Sequence, residues 1–126
     1  MRWFRVGVPM ILLCAALSVS AQSDKCQNAN TTLDMVQCQA KELQERNDDL
    51  KVVLSRIEKL ADQRQRDLLK RAETAWEAYR DANCTFASDL FRGGSMQGLV
   101  VAECQTRLAE ERIEELEELR QDLEER

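Results

Sequence analysis

Histidine is absent from the 126 residues, and proline occurs once, at Pro9. The first absence removes the usual general base of hydrolases and the commonest protein ligand of metal sites. The second leaves everything after residue 9 free of the strongest helix breaker. Glycine beyond Gly7 is confined to Gly93, Gly94 and Gly98, which concentrates permissive backbone in one place. Aromatic side chains are also scarce. Past residue 4 they are Trp76, Tyr79, Phe86 and Phe91, all within sixteen positions. Basic residues are outnumbered, with 18 Lys and Arg against 23 Asp and Glu, and such a balance repels nucleic acid. After the first 21 residues no apolar run is long enough to span a bilayer, so an integral membrane protein is not expected.

What is present begins with MRWFRVGVPMILLCAALSVSA, which has two arginines, an apolar run from Val6 to Leu17 and then small residues. This is the layout of a secretory signal peptide, expected to be cleaved before Gln22. Cys14 lies inside the apolar run behind Leu12 and Leu13, where a lipidation site would carry small residues, so it is expected to leave with the leader. The remaining chain, 22–126, suits one exported domain, periplasmic or extracellular. Residues 103–126 hold ten acidic and four basic side chains, an acidic helical extension suited to basic partners.

Ala, Leu, Glu, Gln, Lys and Arg dominate, which predicts an all-α fold, a small antiparallel helical hairpin or bundle. Thr31 and Asp34 stand at capping-box spacing before a first helix with the stripe Leu33, Val36, Leu43, Leu50, Val53 and Ile57, ending near Leu60. Asp62 is the expected cap of a second helix reaching about Phe91. Its expected core face is Leu69, Ala72, Trp76, Tyr79, Asn83, Phe86 and Leu90. Gly93 and Gly94 stop that helix, Ser95 is the expected cap of a third, and Leu99, Ala102, Thr106, Ala109, Ile113, Leu116 and Leu123 form its stripe.

Four cysteines remain in the exported chain, an even number that predicts two disulfides. Cys84 and Cys104 each lie about ten residues from the glycine turn, and in an antiparallel pair of helices they come level. That leaves Cys26 for Cys38. The spacing does not match a zinc site, and no metal or cofactor is expected.

Two stretches are candidate partner-binding sites. In WEAYRDANC, residues Trp76, Tyr79, Arg80 and Asp81 combine an indole, a phenol and a charge pair. Arg80 is four residues from Trp76, the spacing for a cation-π contact, and three from Glu77, the spacing for an ion pair. Mostly this is expected to be a packed, stapled corner whose exposed edge serves recognition. The second stretch, RGGSMQG, offers Arg92, Gly93, Gly94 and Ser95 on a protruding turn. Catalysis is not expected, since the thiols are oxidised and Glu73, Glu77 and Asp81 at intervals of four describe a solvated face.

Taken together, Cys26, the Thr-rich cap, Cys38, the run Trp76-x-x-Tyr79-Arg80-Asp81-x-x-Cys84, then Gly93-Gly94-Ser95, Cys104, Thr106 and Arg112 resemble the LprI-like lysozyme-inhibitor domain of exported bacterial proteins. The chain departs from that pattern in the first helix, with Asn47-x-x-Leu50-Lys51-x-x-Leu54 where Asp-x-x-Leu-Asn-x-x-Tyr is usual, and at Glu73, where Gln is common. The resemblance implies a helical, non-enzymatic domain facing the cell envelope, with a basic lysozyme as partner. The competing expectation is an envelope assembly module that forms a homo-oligomer through the heptad-like Leu99 to Leu123 helix.

Overall fold

The computed structural model describes Cys26 and residues 28–126, so the expected leader and Cys14 lie outside the described residues. Helix α1 spans Thr32–Leu60 and α2 spans Gln63–Ser88. A single 3₁₀ turn, Asp89–Phe91, and a short loop lead into α3, Gln97–Glu124. The fold is all-α, as the composition predicts.

Local chemistry sets the boundaries. The Asp34 amide donates to the Thr31 hydroxyl at 3.0 Å while the Thr31 amide donates to the Asp34 carboxylate at 3.1 Å, which completes the capping box. Ala61 is extended and buried, ending α1, and Asp62 opens a second capping box with Gln65. The Arg66 guanidinium donates to the Ala61 carbonyl and closes this two-residue connection. Gly93 has φ 76°, a conformation that costs a side-chain-bearing residue and suits glycine.

Helix α3 is the centre of the molecule, with α1 and α2 both packed on it. Arg56 reaches Glu117, and Gln39 and Glu42 lie beside Arg107 and Glu110, so α1 and α3 run in the same direction. Between them Leu50, Val53, Ile57 and Leu116 form the main core, closed by Leu54, Ile113 and Leu123. Leu99, Thr106 and Ala109 are also buried. The α3 stripe expected from the sequence is therefore the inner face, and the seam once assigned to a homo-oligomer is occupied within the chain.

The α2 contact is built differently. Its inward positions are Leu69, Glu73, Trp76, Arg80, Cys84 and Ser88, of which only Leu69 and Trp76 are large and apolar. Cys84 bonds Cys104 with their Cα atoms 5.5 Å apart, and the pair joins Leu108 and Trp76 in a second small core. One turn or so away, Arg112 Nε donates to Glu73 Oε1 at 3.0 Å, with both side chains only 13% exposed. Burial opposes the Arg112 charge, but its hydrogen bonds to Glu73 and Glu115 outweigh that, and its pKa lies above the ordinary arginine value. The second disulfide joins Cys26 and Cys38, Cα atoms 5.7 Å apart, and ties the lead-in to α1.

Several expectations about faces are corrected. Leu33 is exposed. Tyr79 and Phe86 of α2 are 56% and 81% exposed, Leu90 in the 3₁₀ turn is 90% exposed, and Ala72 also faces solvent. The disulfide and the Glu73–Arg112 pair rotate α2 so that the 73-76-80-84-88 face meets α3. The aromatic stripe is left alongside. Helix α2 stops at Ser88, and Ser95 does not cap α3, whose N-cap position is Met96 with no side-chain hydrogen bond. Gln97 and Gly98 belong to α3, which shortens the expected loop.

Candidate binding surfaces

The aromatic stretch divides into two faces. Trp76 is half-buried and touches both cores, and the Arg80 guanidinium lies 5.2 Å from the centre of its ring. Arg80 pairs with neighbouring Asp81 at 2.9 Å and not with Glu77. Asp81 Oδ1 also accepts from Gln105 Nε2 on α3 at 3.4 Å. Trp76, Arg80 and Asp81 thus form a chain from the core to the α2–α3 edge, and their first task is to hold the helices in register. Tyr79 points elsewhere, into solvent.

Glu73, once part of the carboxylate series with Glu77 and Asp81, is engaged by Arg112. Among the described residues no group of three or more His, Cys, Asp or Glu side chains is placed to hold a metal ion.

At the opposite end of the bundle the turn Arg92, Gly93, Gly94 and Ser95 is exposed. The Arg92 guanidinium grips Asp89 through Nε at 2.8 Å and through Nη2. Beside it Leu90, Phe91 and Met96 are exposed as well, so the tip is apolar around one exposed ion pair.

A third surface gives shape to the acidic extension expected from the sequence. Glu103, Glu110, Glu114 and Glu118 fall on one outward row of α3, about 22 Å long, and all four are exposed. None joins an ion pair among the described residues, whereas Glu111, Glu115, Glu117 and Glu124 are matched by Arg107, Arg112 and Arg120. The acidic count was legible from sequence. Which carboxylates remain unmatched depends on where α1 and α2 pack.

These features define a class: a small, disulfide-stapled three-helix domain with an acidic flank and an apolar tip. Its two disulfides belong to an oxidising compartment. The chain belongs to the lysozyme inhibitor LprI family, whose model matches residues 23–116. It is also 30% identical over 125 residues to a protein of Rhizobium meliloti (strain 1021) described only as uncharacterised, covering 86% of this chain and 89% of that one. No solved structure matches. Among the described residues no helix is long and apolar enough to cross a membrane.

Proposed function

We propose that this domain binds a lysozyme outside the cytoplasm, in the periplasm or beyond the cell, and inhibits it by occupying its cleft. The observation that carries this reading is the family match across residues 23–116. Charge supports it. A basic enzyme would be drawn toward the unmatched carboxylates of α3, which raises the association rate more than it slows dissociation.

The tip around Arg92 and Ser95 is the part proposed to enter. Glycosidase clefts carry two carboxylates. Arg92 can exchange Asp89 for one of them at little net cost, because an exposed ion pair contributes little to stability. Phe91 and Met96 would supply apolar contact beside it.

Two variants separate the steps. Replacing Glu110, Glu114 and Glu118 together by Gln should slow association about tenfold at low salt and flatten its salt dependence, with dissociation nearly unchanged. Arg92→Glu with Ser95→Glu should weaken inhibition at least tenfold through faster dissociation. Inhibition unaltered by the tip variant at any salt concentration would refute the insertion model.

A further inference from the structure

The outward face of α2 carries Leu68, Ala72, Ala75, Tyr79, Ala82 and Phe86, all exposed. Their intervals are four, three, four, three and four, the repeat of a coiled-coil seam, sustained over about 27 Å. Among the described residues its members stay exposed, and at one end Leu68 and Ala72 border a groove shared with Leu119 and Leu123 of α3. The equivalent repeat on α3 is buried against α1, so α2 holds an unfilled seam.

We propose that the seam is filled by α2 of a second copy, in an antiparallel two-fold pair. In antiparallel coiled coils the two seam positions of one helix pack against the opposite positions of its partner. With the two-fold axis beside residue 77, Phe86 meets Leu68 of the other copy, Tyr79 meets Ala75, and Ala72 meets Ala82. Each of the central aromatic rings faces a methyl group, and the end layers fill with two large side chains. The seam is therefore complementary to itself, as a two-fold interface requires.

Charge and area agree with this pairing. No charged side chain interrupts the seam between Leu68 and Phe86. At its ends Arg64, exposed and without an ion-pair partner among the described residues, comes near Asp89 of the other copy, a carboxylate it would share with Arg92. Ala78 on the border lets the backbones approach closely. Tyr79 and Phe86 each bring a large share of the roughly 150–250 Å² an aromatic side chain can bury, and the seam with its borders approaches the ~800 Å² per partner of a specific interface. The α3 row lies outside this contact, and the Arg92 turn meets it only at Asp89.

The test is sedimentation equilibrium of the oxidised chain, residues 22–126, across micromolar to submillimolar concentrations. A reversible dimer is expected. Tyr79→Glu and Phe86→Glu should each raise its dissociation constant at least ~30-fold while circular dichroism and melting temperature of the monomer stay unchanged. Direction is read by placing the photocrosslinking residue p-benzoylphenylalanine at position 86. After trypsin digestion it should join the peptide of residues 67–70, whereas joining to the 81–92 peptide would mean a parallel pair and overturn the proposal. A chain that stays monomeric throughout overturns it too, as does a dimer indifferent to both Glu substitutions. If the wild type is monomeric and the same substitutions abolish lysozyme inhibition, the face belongs to the enzyme and the second copy is ruled out.

Discussion

Helices α1 and α2 both pack on α3, yet they are held by different physics. The α1 contact is centred on an apolar core, with Val53 and Leu116 at 1% and 0% exposure, and turns polar toward Glu42 and Thr106. The α2 contact has two large apolar anchors, Leu69 and Trp76, and otherwise depends on a covalent bond and a buried ion pair. The difference teaches where the surface comes from. Because α2 is attached through Cys84, Glu73 and Asp81, its apolar residues need not face inward, and Tyr79 and Phe86 stay exposed.

If that comparison is right, the largest loss comes from the apolar side. Leu116→Ala should reduce stability by about 4 kcal/mol, measured by urea denaturation, because a fully buried leucine leaves a cavity between two long helices. Next comes the covalent side. Cys84→Ala with Cys104→Ala should cost about 3 kcal/mol from loop closure across 20 residues. Hydrogen exchange should then accelerate through α2 while the α1–α3 amides around Leu50 and Leu116 keep their protection. Equal acceleration in all three helices would erase the distinction.

The smallest of the three effects belongs to the ion pair. Glu73→Leu should destabilise by about 2 kcal/mol, less than the full cost of stranding a buried charge, because Arg112 retains Glu115 at 2.9 Å. Changing Arg112 to Leu as well should recover part of that loss, since an apolar pair removes both desolvation penalties. No recovery in the double variant would mean that the pair is held for its geometry and not its charge.

Much of this fold was legible in the sequence. The Thr31–Asp34 box, the Asp62 cap, the glycine reversal and both disulfides follow from residue type and spacing. The α3 stripe was also correct, because its partner α1 runs along its whole length and periodicity alone decides the face. Helix α2 was misread for a physical reason. Its apolar arc is wide, and the centre of an apolar arc marks the core only where burial of apolar area decides the rotation. Here Cys84 and Glu73, on the edge of that arc, decide it through their partners on α3. Those partners were visible as residues but not as neighbours. Likewise, the sequence gives ten carboxylates after residue 102 without telling which ones lack a cation.

The most direct test of the central claim is a cell-wall lysis assay with several lysozyme classes, titrated with the oxidised chain of residues 22–126 and with the same chain reduced and alkylated. The account predicts stoichiometric inhibition of at least one basic lysozyme by the oxidised form, and its loss when the disulfides are opened. Absence of inhibition for every class, or equal inhibition by the reduced chain, would contradict it.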